Sequence, residues 1–158
     1  MSEQATNPAI EQATERTIFV CNSLLKGEIS AIETYVQAIE KFKDDPHVGD
    51  LIRIKSEHEE ATQKLRNILI EMHAAPETDS GAWGAITKGI QATANLFGEN
   101  SATFSLKQGE QLGKKGYESA LDDIEVKPEV KNLIRGQLLP MVNNHIERLD
   151  TVGTAMSQ

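Results

Sequence analysis

Apolar residues recur at intervals of three and four through four long stretches of this chain, and that spacing limits its fold more than any other feature. In the first stretch they fall at Ile18, Cys21, Leu24, Leu25, Ala31, Ile32, Tyr35, Ala38, Ile39 and Phe42. A period of 3.6 held for about seven turns is one face of an amphipathic helix, whereas a strand would alternate. The stretch ends at Asp44-Asp45-Pro46, where Asp45 is suited to cap a new helix and Pro46 to open it. A second helix is predicted from Pro46 to Met72, with Leu51, Ile54, Ala61, Leu65, Ile68, Leu69 and Met72 on one side. A link of about three residues makes the pair an antiparallel hairpin.

The pattern then changes. Residues 74–81 read AAPETDSG, a loop composition, and Gly98-Glu99-Asn100 is a second breaker. Between them Trp83, Ile86, Ile90, Ala94 and Phe97 are spaced as a short amphipathic helix. Some 15 helical residues would reach about 22 Å, enough to carry the chain along most of a bundle. The third helix is predicted over Ser101–Asp122 with Phe104, Leu106, Gly113, Tyr117, Ala120 and Leu121 inward. The fourth starts near Pro128 and carries Val130, Leu133, Ile134, Leu138, Met141, Val142, Leu149 and Val152, with Pro140 expected to kink it. The fold class is all-α: a four-helix bundle with a long crossover, one domain over residues 1–158, its first eight residues flexible.

Charge and cysteine usage narrow the function. With 24 acidic and 16 basic residues the formal charge is −8, which repels nucleic acid and anionic membranes alike. The Lys114-Lys115 pair is read as a solvated helix face. A single cysteine, Cys21, excludes an internal disulfide and falls on an apolar face as a buried thiol. The first eight residues lack the apolar core of a secretory signal, and no apolar run is long enough to span a bilayer. A cytoplasmic location is the expectation. No nucleophile–base pair, phosphate loop or nucleotide fingerprint is present.

What interrupts the apolar stripes carries the chemistry. Glu28 lies between Leu24 and Ala31, His58 between Ile54 and Ala61, Glu110 between Leu106 and Gly113, and His145 between Met141 and Leu149. Each long helix thus turns one ionisable side chain inward, far from its ends. In a bundle with a long crossover the four levels fall within about 10 Å of one another. Separate burial of two carboxylates and two imidazoles would cost several kcal/mol each, and gathering them around a cation removes much of that. Carboxylate oxygen and imidazole nitrogen suit iron, manganese or zinc. Four separate polar residues at stripe edges remain the alternative. On the second helix a register one residue earlier offers Glu57 and Glu60 but turns Lys64 inward, so His58 is preferred. His47 and His73 lie outside the site.

The stretch from Leu24 through Glu28 to Tyr35 (LLKGEISAIETY) resembles the first helix of bacterioferritin. Glu110 with Tyr117 and Ala120-Leu121 is similar to its third-helix glutamate segment, and His145-Ile146 to its fourth-helix segment. Nearly the whole chain, with Gly81-Ala82-Trp83-Gly84 in the crossover, resembles a bacterial ferritin-like family of unknown function. The resemblance implies a ferritin-like fold, a metal site in the bundle core, iron or oxidative-stress handling, and a homodimer. Such di-iron sites use a Glu from each of two helices and Glu-x-x-His from each of the others. Here Val142 stands three before His145, and His58 and Ala61 take the two motif positions on helix two. A dinuclear oxidase activity therefore lacks its bridging carboxylates. Three functions stand: a metal-binding ferritin-like protein with Glu28, His58, Glu110 and His145 as ligands, a metal-free structural or interaction bundle, or an enzyme with a dinuclear oxidase-type centre built without those carboxylates.

Overall fold

In a computed structural model, which describes residues 7–81 and 99–156, the chain is helical and carries no strand among the described residues. Helix α1 spans Pro8–Lys41, α2 Val48–Glu71 and α3 Glu99–Asp122. The fourth helix is continuous but built in three parts: α4 over Pro128–Leu133, a π turn over Ile134–Leu138, and α5 over Leu139–Met156. Asn7 caps α1 by accepting from the Ala9 amide at 3.0 Å, so Pro8 is already helical. No helix among the described residues is long and apolar enough to cross a membrane.

Contacts along the helices fix their directions. Arg16 pairs with Asp123, Glu28 with Tyr117 and Tyr35 with Glu110, so α1 and α3 are antiparallel. Asp50 pairs with Arg148 and Glu57 with His145, opposing α2 to α5. Lys107 pairs with Asp150 and Glu110 with His145, opposing α3 to α5. The α1–α2 hairpin closes the set, and α2 and α3 therefore run in the same direction.

Two apolar clusters fill the interior. One gathers Cys21, Leu25, Leu65, Leu69, Ile134, Leu138 and Val142; the other Ala38, Phe42, Leu51, Ile54, Leu106 and Leu149. Cys21 is buried and unbridged, and burial pushes its thiol up to about 12, which keeps it inert.

Two expectations are corrected. The second helix opens at Val48, not Pro46. Asp45 accepts from the His47 amide at 2.7 Å, and a further turn, closed by Asp45 N–H to Phe42 O and Val48 N–H to Asp45 O, holds Pro46. Phe104 is 60% exposed. It sits two residues from Ala102 and from Leu106, about 200° around the helix from each, so it points away from the stripe they define. Pro140 follows a π turn in which Leu139 N–H reaches Ile134 O. The wider i→i+5 turn opens the helix where the pyrrolidine ring would otherwise meet a carbonyl. Asn7 and Pro8 are the cap and the first residue of α1. The expected crossover helix with Trp83, Ile86, Ile90 and Phe97 lies outside the described residues.

The end of α2 generates a test. His73 adopts φ 58°, with its N–H on Ile70 O and the Ala74 N–H on Leu69 O. This is the helix-ending motif in which glycine is favoured, because a Cβ strains the left-handed conformation. His73→Gly should raise stability by about 1 kcal/mol in urea unfolding. An unchanged or lowered midpoint would contradict that strain.

Candidate metal centre

Between the two apolar clusters lies one polar layer. Glu28 comes from the middle of α1, His58 from α2, Glu110 from α3 and His145 from α5, and all four are at least 95% buried. Helical spacing puts them there, since each occupies the place of an apolar residue in its stripe.

The groups form a chain in which acid alternates with base. His58 Nδ1 stands 2.5 Å from Glu28 Oε2 and His58 Nε2 2.8 Å from Glu110 Oε1. The other Glu110 oxygen lies 3.3 Å from His145 Nδ1, and His145 Nε2 is 3.1 Å from Glu57 Oε2. Tyr35 donates its hydroxyl to Glu110 Oε1 at 2.7 Å, and Tyr117 donates to Glu28 Oε1. The His58 and His145 rings are 4.8 Å apart between centroids. Glu57 is the outermost member, its side chain 33% exposed.

The charges follow from this geometry. Both nitrogens of His58 face carboxylate oxygens, so both carry protons. Burial opposes the imidazolium, but the Glu110 and Glu28 carboxylates outweigh it and hold the pKa well above that of an ordinary histidine. Burial likewise opposes ionisation of Glu110, and His58 and His145 outweigh it, keeping the carboxylate well below its ordinary range. Burial first, and the adjacent carboxylates second, push both tyrosine hydroxyls well above their usual value, so Tyr35 and Tyr117 remain donors.

His58, Glu110 and His145 each offer a ligand atom, and these atoms lie within 4.8 Å of one another. Two imidazole nitrogens and a carboxylate oxygen in a buried site fit a divalent cation of the zinc, ferrous or manganous kind. In the usual arrangement a ligating imidazole donates its second N–H to a carboxylate. Glu28 stands in that place for His58 and Glu57 for His145. This buried His/Glu/His group could hold a metal ion.

All four residues singled out in the sequence meet in this layer. The His58 register is the one adopted, and Glu60 is exposed. Glu57 nevertheless joins the chain beside its neighbour rather than instead of it. Tyr35 and Tyr117 were read only as inward apolar residues. The signal for them was present: Glu28 and Tyr35, like Glu110 and Tyr117, are seven residues apart, two turns along one helix face. His47 and His73 stand apart from the site, as expected.

The paired charges predict a stability profile for the metal-free protein. A raised histidine pKa contributes stability in full below about 6.5, the unfolded value, and loses it as pH climbs towards the folded one. The depressed Glu110 contributes above about 4.3 and loses it as pH falls. The thermal midpoint should therefore be highest between roughly pH 4.5 and 6.5 and fall towards pH 9. His58→Leu should flatten the alkaline limb, and a wild-type midpoint rising from pH 6 to 9 would contradict an imidazolium at this position.

A comparison with protein families matches residues 16–123 to the domain of unknown function DUF2383. The matched stretch holds Glu28, Tyr35, Glu57, His58, Glu110 and Tyr117 and stops before His145. Neither a curated protein nor a solved structure matches the chain. The match covers more than half of the chain and runs through three of its four helices, so this protein belongs to the DUF2383 family.

Proposed function

We propose that this protein is a ferritin-like helical bundle that binds one divalent metal ion in its core, through His58, Glu110 and His145. The observation that carries the reading is the convergence of three buried ligand atoms within 4.8 Å of one another, from three different helices. Glu28 and Glu57 hold the outer nitrogens of the two rings and so orient the ligands. The single His/Glu/His group found among the described residues favours one ion over a bridged pair. A ferritin-like topology is supported by α2 and α3 running in the same direction, which requires a connection returning along the bundle. The described part of that connection already lies along α1, with Glu77 N–H on Asn22 Oδ1 and the Ser80 hydroxyl on Glu33.

When bound, such an ion supplies a Lewis acid or, as iron or manganese, one-electron exchange. The chain's own residues exclude water, fix the ring orientations and hold the protons that the ion displaces. Iron or oxidative-stress handling in the cytoplasm and association into a homodimer belong to the same proposal, and sedimentation measures the last.

A metal-free bundle is the second reading. It is favoured by one observation: every imidazole nitrogen already faces a carboxylate, so the layer is satisfied without an ion.

Calorimetric titration with zinc, ferrous and manganous ions separates the two. Because His58 holds its proton so firmly, binding should release at least one proton per ion and tighten from pH 6 to 8. The alanine variants of His58, Glu110 and His145 should each lose at least tenfold in affinity, and the losses should not add, since each removal dismantles one shared site. Equal, weak binding by wild type and all variants, with His58→Leu melting lower because Glu28 and Glu110 lose their shared partner, would establish the metal-free reading instead.

A further inference from the structure

The space on the α1–α3 side of the polar layer is not accounted for by metal binding. A cavity of about 60 Å³ lies between these helices, with Glu28, His58 and Glu110 along its floor. Neither His145 nor Glu57 lines it. It is therefore reached from a different face than the one Glu57 occupies.

Four glycines, Gly27, Gly109, Gly113 and Gly116, line it. Gly109 is exposed and Gly113 half-buried, and a Cβ added to either would meet no atom of the described residues within 4 Å. Gly116, one turn on, differs: its Cβ would touch Leu24 Cδ2 at 3.5 Å. Alanine would fit at Gly109 and Gly113 and would favour the helix. Among the described residues neither glycine serves close packing, so each leaves space beside a buried charged cluster. Two tyrosines that line the space reach across between the helices, Tyr35 from α1 to Glu110 and Tyr117 from α3 to Glu28.

The walls select the occupant. Leu24, Ala31, Leu106 and Val142 make them largely apolar. The Glu28 and Glu110 carboxylates on the floor repel anions, and an ion held by His58, Glu110 and His145 would sit on the far side of the layer, since His145 does not line this space. A volume of this size admits only a few atoms.

We propose that the cavity between α1 and α3 binds a small uncharged molecule of roughly two to four heavy atoms beside His58, entering past Gly109 and Gly113. The proposal goes beyond the metal reading and does not depend on it.

Xenon is the probe, applied under pressure to crystals of the full chain. Wild type should show one xenon between α1 and α3, and Gly113→Leu, which fills the space, should show none. Gly113→Ala serves if the leucine variant fails to fold. It should melt at a higher temperature than wild type while xenon occupancy falls about twofold, as a methyl group enters the cavity. Azide, a small anion, should not enter. A wild-type cavity without xenon, equal xenon in Gly113→Leu, or azide seated in its place would each overturn the proposal. Zinc titration of the same proteins keeps the two readings apart. Xenon absent with zinc binding intact ends the cavity proposal alone, whereas xenon seated without zinc binding ends the metal reading alone.

Discussion

Four ionisable side chains share the middle of an apolar core, and the fold has to pair every one of them. An unpaired carboxylate or imidazolium at this depth would cost several kcal/mol, a large part of what a domain of this size has to spare. The alternating order Glu28, His58, Glu110, His145, Glu57 meets that demand, with Tyr117 donating to the remaining oxygen of Glu28 and Tyr35 to the Glu110 oxygen that His58 also contacts. The layer draws on α1, α2, α3 and α5 together. Sliding any of these helices by one turn would move a charged group by about 5.4 Å, away from its partners and into one of the flanking apolar clusters. The apolar clusters supply the non-directional drive to collapse, and the polar layer fixes the register in which collapse ends.

The same interactions tie stability to ligand binding. Protons on His58 hold Glu28 and Glu110 together in the metal-free protein, and an ion would replace the one on Nε2 beside Glu110 while Nδ1 keeps its proton towards Glu28. Proton and metal therefore compete for one position, and the fold remains satisfied in either state. The two approaches to the layer differ in character. On the α2–α5 side Glu57 carries a half-exposed carboxylate to His145, whereas on the α1–α3 side the approach is apolar and flanked by glycines.

Much of this was legible in the sequence, for a physical reason. Helical periodicity over twenty or more residues is a strong pattern, and a polar residue in the stripe stands out against it. Glu28, His58, Glu110 and His145 were found that way, and the His58 register followed from keeping Lys64 outside. Features set by tertiary context were not legible. Tyrosine counts as apolar in a periodicity pattern, so the hydroxyl bonds of Tyr35 and Tyr117 were hidden. Glu57 sits beside the stripe and reaches the site only because α5 brings His145 within range. The start of α2 was misplaced because Asp45 caps a turn with the same side-chain bond that would cap a helix. The π turn before Pro140 needs a bond pattern that no local composition reveals.

The central claim is that the buried His/Glu/His group is a metal site, and anomalous diffraction tests it most directly. Crystals grown with zinc should give one strong anomalous peak in the core, within bonding distance of His58, Glu110 and His145. A core without a peak, with zinc found only on surface carboxylates, would contradict the claim and leave the polar layer as a device for fixing the register of the helices.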